Sequence, residues 1–191
     1  QDPNIPLIGM VTRLAKQKGL DLVAHVLHEI LEMDLQIAVL GTGEAQFEEL
    51  FRHFAGRFPD KVSANIKFEN ALAHKIYAAS DLFLMPSLFE PCGLGQMIAM
   101  RYGSLPIVRE TGGLKDTVLP YNQVTDEGLG FSFANYNAHE LLDTVRRAVK
   151  LYEEDKEGAW KRMVMRAMRA DFSWGASALK YKELYEQVIS D

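Results

Sequence analysis

Short apolar runs alternate along this chain with longer stretches in which apolar residues recur every three or four positions. The runs Leu7–Val11, Gln36–Leu40, Asn65–Phe68, Asp81–Met85, Leu105–Val108 and Gly130–Phe133 predict strands. They are short and apolar at successive positions, as strands covered on both faces should be. The amphipathic stretches predict helices over Leu20–Glu32, Glu44–Phe58, Ala71–Ala79 and Leu94–Tyr102, with a short one over Leu114–Leu119. From Ala138 onward the pattern is helical, and breaks at Glu157-Gly158 and Asp171-Phe172-Ser173 divide it into three helices. Asn137 and Ser173 precede two of these stretches as N-caps, while Gly19 and Gly103 mark turns. Strand and helix in strict alternation predict an α/β fold, a Rossmann-like doubly wound parallel sheet of about six strands with a helical C-terminal extension. Right-handed crossovers give the strand order 3-2-1-4-5-6.

In that order the first and fourth strands are neighbours at the switch point, where open α/β sheets bind ligands beyond their carboxyl ends. Two segments with chemistry fall there. After the first strand comes Thr12-Arg13-Leu14-Ala15-Lys16-Gln17-Lys18-Gly19; after the fourth comes Glu90-Pro91-Cys92-Gly93-Leu94-Gly95-Gln96. A helix opening at Gly93 or Leu94 would present free N–H groups and a positive dipole end, and phosphate is the natural guest. Arg13 and Lys18 could converge on the same phosphate, although an arbitrary pair of this kind is more often two solvated surface cations. A carboxylate such as Glu90 at the end of a buried strand needs partners, which sugar hydroxyls or a salt bridge could supply. Cys92 at a helix start could be an activated thiol, but no histidine or asparagine context accompanies it. Gly41-Thr42-Gly43 after the second strand invites a dinucleotide reading, yet it lacks the third glycine and lies on the wrong strand. Phe68, an aromatic at the end of the third predicted strand, reads as core. Thr111-Gly112-Gly113 reads as a tight turn after the fifth strand. His25 and His28 share a helical face with no carboxylate set nearby, so no metal site is expected.

The combination of TRLAKQKGLDL, FEPCGLGQMIAMRYG and PIVRETGGLKDTV, followed by DFSWGASALKYKELYEQV, resembles the carboxy-terminal, donor-binding domain of bacterial glycogen synthases and plant starch synthases. These are retaining glycosyltransferases of the two-lobed GT-B type, and the resemblance covers nearly the whole chain. It implies that residues 1–191 form one nucleotide-sugar-binding domain whose amino-terminal lobe is absent. The opening Gln1-Asp2-Pro3-Asn4-Ile5-Pro6 reads the same way, as a cut in a linker. The resemblance further implies transfer of glucose from ADP-glucose, or less readily UDP-glucose, to the non-reducing end of an α-1,4-glucan without any cofactor. The acceptor and a catalytic histidine would come from the other lobe.

By the same resemblance Arg13 and Lys18 bind the diphosphate, Glu90 orients the glucose hydroxyls, and Phe68 stacks on the base. Cys92 packs beside the donor, the Gly93 and Leu94 amides contact sugar or phosphate, Gly41 and Gly43 allow close backbone approach at the nucleotide pocket, and Thr111 and Gly112 lie beside it. Two positions depart from the family's pattern. Ile98 stands where related transferases place a second, ribose-binding glutamate, and Gly95 stands where a hydroxyl residue is common.

Composition narrows the alternatives. With 191 residues, 48% of them hydrophobic and 25% charged, the chain can fill one core. A net charge of −5 argues against a general nucleic-acid partner. A single cysteine excludes a disulfide framework and suits a reducing compartment, the cytoplasm of a bacterium or the plastid stroma of a plant. No apolar run reaches membrane-spanning length, so no membrane partner is expected. A nucleotide-sugar-binding regulatory module without activity and an NAD-dependent oxidoreductase domain stay open as alternatives.

Overall fold

The computed structural model describes residues 4–190, so Gln1, Asp2 and Pro3 of the expected linker lie outside it. Six parallel strands form one sheet in the order β3-β2-β1-β4-β5-β6, as the alternation predicts. They are β1 (Leu7–Val11), β2 (Gln36–Leu40), β3 (Val62–Asn65), β4 (Leu82–Met85), β5 (Leu105–Arg109) and β6 (Phe131–Phe133). The helices are α1 (Leu20–Glu32), α2 (Ala45–Arg57), α3 (Asn70–Ala79), α4 (Gly95–Tyr102), α5 (Gly112–Thr117), α6 (Ala138–Asp155), α7 (Lys161–Arg169) and α8 (Trp174–Ser190).

Side chains alternate between the two faces of each strand, and this decides which helix covers what. Ile8, Met10, Leu82 and Leu84 belong to the main core, which includes Leu27 and Ile30 of α1 and Leu141 and Val145 of α6. The alternate positions meet α3 and α4: Phe83 clusters with Tyr77 and Ala99. Gly9 lies so close to α3 that a Cβ there would stand 2.2 Å from Ser80 Oγ. No larger residue fits beneath that helix.

One strand and one helix differ from expectation. The third strand is Val62–Asn65, not Asn65–Phe68, with Val62 opposite Ile37 and Asn65 opposite Leu40. The apolar weight of Ile66 and Phe68 draws a pattern reading downstream, whereas pairing with β2 starts the strand at Val62 and leaves Phe68 in the following loop, 94% exposed. The fifth helix starts at Gly112 and ends at Thr117, two residues earlier than predicted. The C-terminal breaks fall where expected. A π turn over Lys156–Trp160 separates α6 from α7, with Gly158 outside helical geometry. Asn137 caps α6 by accepting from the His139 and Glu140 N–H groups at 2.9 and 3.1 Å, and Ser173 Oγ accepts from Ala176 N–H at 3.3 Å at the start of α8.

Candidate donor site at the switch point of the sheet

β1 and β4 are adjacent, so the loops after them meet where the two halves of the sheet diverge. Leu88 N–H donates to the Gln17 carbonyl at 3.0 Å, tying the two loops together. At their junction Gly19 adopts φ +74°, and a Cβ there would come within 2.1 Å of the Pro86 carbonyl oxygen. Only glycine satisfies both demands.

This junction pairs two of the predicted residues with each other. Lys18 Nζ lies 2.5 Å from Glu90 Oε2, with side chains 21% and 11% exposed. Ser87 Oγ donates to the same Oε2 at 3.3 Å. The salt bridge therefore supplies the partner that the buried Glu90 requires, so Lys18 does not face the α4 N-terminus unattached. Oε1 of Glu90 takes no hydrogen bond from the described residues and remains open to a hydroxyl donor. Arg13 stands apart from this pair, its Nη2 donating to Gln17 Oε1 at 2.9 Å.

Arg13 instead lines a cavity of about 460 Å³ with Val11, Gly41, Thr42, Phe68, His74, Tyr77 and Ile98. The cavity combines an exposed aromatic ring, a cation and an apolar wall. Lys67 and Glu69 form an ion pair at 2.6 Å on either side of Phe68. Lys18, Glu90, Cys92, Gly93, Leu94, Gly95, Thr111 and Gly112 are not in the lining of that cavity. They lie in the loops and helix starts after β1, β4 and β5, and α4 connects these to the cavity, since Ile98 lines it and stands one helical turn beyond Leu94.

Gly43 makes a close backbone approach, as expected of it, but to the β1 loop. It does not line the cavity; its Cα is pressed against the β1 loop, where a Cβ would fall 2.1 Å from the Leu14 carbonyl oxygen. Its N–H is taken by Glu48 Oε1 at 2.9 Å, and Gly41 N–H by the Asn65 carbonyl at 3.1 Å. That hydrogen bond holds the Glu48 carboxyl below the usual range. Both glycines serve loop packing, and neither N–H is free for the phosphates of a dinucleotide.

The turn after β5 supports the Glu90 loop from behind. A Cβ on Gly112 would lie 2.2 Å from the Glu90 carbonyl oxygen, and Gly113 N–H donates to that oxygen at 3.1 Å. Thr111 is the N-cap position of α5, without a side-chain cap bond. Cys92 is exposed, its thiol 3.7 Å from the Gly93 carbonyl oxygen.

Sequence reasoning missed three supporting residues. Arg109 Nε donates to the Ser87 carbonyl at 2.9 Å and its Nη2 to the Leu88 carbonyl at 2.5 Å. Its guanidinium lies 5.6 Å from the Tyr136 ring centroid. The Tyr136 hydroxyl donates to Asp21 Oδ1 at 2.5 Å, and burial, followed by that acceptor, pushes the phenol well above its ordinary range. The third is Gln96, fully buried in the first turn of α4. An arginine ending an apolar strand and a glutamine in a helix start were visible, but their targets are carbonyls that no side-chain pattern reveals. Arg109→Leu should therefore cost about 2 kcal/mol, the worth of its two charge-assisted hydrogen bonds, and speed amide exchange at Leu88. Urea denaturation and hydrogen exchange check this; unchanged exchange would mean that other groups hold the loop.

Comparison with known proteins gives this geometry a context. Residues 2–161 match the family model "Glycosyl transferases group 1". The chain is 58% identical to the glycogen synthase of Clostridium acetobutylicum over 186 residues, 97% of the chain but 39% of that protein. It is also 58% identical to the glycogen synthase of Clostridioides difficile over 188 residues, 98% of the chain and 39% of that protein. The chain thus spans about two fifths of the length of these relatives. Among solved structures, the catalytic domain of Arabidopsis thaliana starch synthase IV bound to ADP and acarbose matches with a TM-score of 0.86 and 42% identity, over 100% of this chain and 40% of that one. A sucrose-phosphate synthase from Thermosynechococcus elongatus shares the fold at 23% identity and a TM-score of 0.68.

Proposed function

The chain belongs to the group 1 glycosyl transferases, and from that premise we propose that it is the donor-binding domain of a retaining α-1,4-glucan synthase that takes glucose from ADP-glucose. The observation that carries this reading is the juxtaposition at the switch point. A cavity lined by Phe68, Arg13 and Ile98 of α4 opens at the sheet end where the loops after the neighbouring β1 and β4 carry the Lys18–Glu90 pair. An aromatic and an apolar wall suit a base and ribose, cations suit a diphosphate, and a half-satisfied carboxylate suits sugar hydroxyls. The starch synthase that matches this chain was solved with ADP, which supports the same choice of nucleotide.

In this reading Phe68 stacks on the base and Arg13 grips the diphosphate. Lys18 keeps one proton on Glu90 and directs its others at phosphate oxygens. Glu90 Oε1 accepts from a glucose hydroxyl. As the bond from the anomeric carbon to the diphosphate breaks, negative charge collects on the leaving group, where fixed cations and amides are most stabilising. No protein nucleophile need act, because displacement on the same face retains configuration. The glucan acceptor is assigned to the remainder of a longer protein. α8 supports this, since Trp174 and Ile189 on it are 90% and 84% exposed and would be covered by another unit. No helix among the described residues is long and apolar enough to cross a membrane. We place the enzyme where nucleotide sugar and glucan meet, the cytoplasm of a bacterium or the plastid stroma of a plant.

Calorimetric titration of ADP, UDP and NAD into the chain tests the assignment. ADP should bind, UDP several-fold more weakly, and NAD no better than its ADP moiety allows. Preference for NAD would turn the reading toward an oxidoreductase. ADP binding without glucose transfer in a full-length protein containing this domain would reduce it to a regulatory module.

A further inference from the structure

Gln96 is completely buried, yet its Oε1 has no hydrogen-bond partner. Its Nε2 faces three acceptors: the Cys92 carbonyl at 3.2 Å, the Gly93 carbonyl at 2.9 Å and Thr117 Oγ1 at 3.0 Å. The Thr117 hydroxyl proton is itself committed to the Gly113 carbonyl at 2.5 Å, so that oxygen can only accept from Gln96. Turning the amide over would press Oε1 against two carbonyl oxygens. The surrounding backbone therefore sets the polarity of the side chain.

A consequence follows on the opposite side of the loop. In a trans peptide the C=O and the next N–H point in opposite directions, and no peptide here is cis. Gln96 draws the Cys92 and Gly93 carbonyls inward, which turns the N–H groups of Gly93 and Leu94 outward, to the side on which Cys92 and Leu94 are exposed. Neither N–H meets an acceptor among the described residues. Gly93 permits the arrangement: it adopts φ +74°, and a Cβ would fall 2.5 Å from Gln96 Oε1. An apolar side chain at position 96 would fill the space without an orphaned oxygen. The fold keeps that unpaired acceptor, which is costly when buried, together with a donor that fixes the loop.

We propose that Gln96 is a positioning residue that aims the Gly93 and Leu94 amides at the diphosphate of the donor. The inference rests on the donor-site reading above. Two preoriented N–H groups would stabilise charge on the leaving diphosphate without reorganising during the reaction. Gln96 itself touches neither substrate nor the reacting atoms.

The test compares ADP with adenosine on the chain, since their difference isolates the diphosphate. In the wild type, ADP should move the amide resonances of Gly93 and Leu94 and adenosine should not. Gln96→Met, matched in volume but unable to donate, should weaken ADP about tenfold or more, as expected for losing aligned bonds to a charged group, and leave adenosine affinity within about twofold. Equal losses for both ligands would show that Gln96 serves the fold alone and would overturn the proposal, as would unchanged ADP affinity. If the variant does not fold, the wild-type resonances decide: ADP-specific shifts at both amides support the assignment, and their absence sinks it. A wild-type chain that binds ADP with shifts only elsewhere overturns this inference but not the donor site. One that binds neither ligand overturns the donor site itself.

Discussion

Lys18→Met, in a full-length synthase whose donor half is this chain, is expected to lower turnover about a hundredfold or more, roughly 3 kcal/mol of transition-state stabilisation. It should also destabilise the domain, because Glu90 is left with an 11% exposed carboxylate and no cation. About 2 kcal/mol is reasonable for a charged group stripped of its partner in a site that is not fully dry. Glu90→Gln should cost less stability, since Lys18, at 21% side-chain exposure, can turn to solvent. It should lower turnover while leaving ADP affinity nearly intact if, as proposed, the free oxygen of that carboxylate serves the sugar and not the nucleotide. The double variant separates structure from function: neutralising both partners should restore much of the stability and none of the turnover. Urea denaturation and glucose transfer, measured on all three variants, supply the cycle. If turnover recovers with stability, the pair is a structural clamp and the diphosphate binds elsewhere.

Arg13→Ala is expected to act on the ligand and hardly on the fold. The guanidinium is exposed and its bond to Gln17 is a surface contact, so thermal stability should move little. ADP affinity should fall about tenfold or more, as expected when a forked, charge-assisted contact to phosphate is lost. Adenosine affinity should hold, since the proposed site sets base and ribose against Phe68 and the apolar wall and not against Arg13. Arg13→Lys should recover part of the loss, because an ammonium keeps the charge but not the fork. Matching losses for ADP and adenosine would mean that Arg13 shapes the cavity and does not bind phosphate. The charge left on the breaking bond makes turnover more sensitive than affinity, so a full-length synthase carrying Arg13→Ala should lose more in rate than the chain loses in binding.

The alternation of apolar runs with amphipathic stretches was sufficient for the sheet order, because buried parallel strands and right-handed crossovers leave few other arrangements. The same pattern set the loop of Arg13 and Lys18 beside the loop of Glu90, since both follow strands that the order makes adjacent. It did not separate Arg13, which lines the cavity, from Lys18, which pairs with Glu90. It misplaced β3, where the apolar Ile66 and Phe68 outweighed Val62 in sequence. Strand limits depend on which residues find a partner across the ladder, and the partner, Ile37, lies 25 positions earlier.

Tertiary structure alone decided who pairs with whom inside the crevice. Composition shows a lysine and a glutamate 72 positions apart, but the packing of Gly19 on Pro86 and the Leu88–Gln17 bond set the two loops so that Lys18 meets Glu90. It also assigned Gly43 to loop packing, through a Cα–carbonyl approach that no motif encodes. Arg109 and Gln96 show the reason most plainly. Both act on backbone carbonyls, which every residue carries alike, so their targets are written in the path of the chain and not in the identity of its side chains.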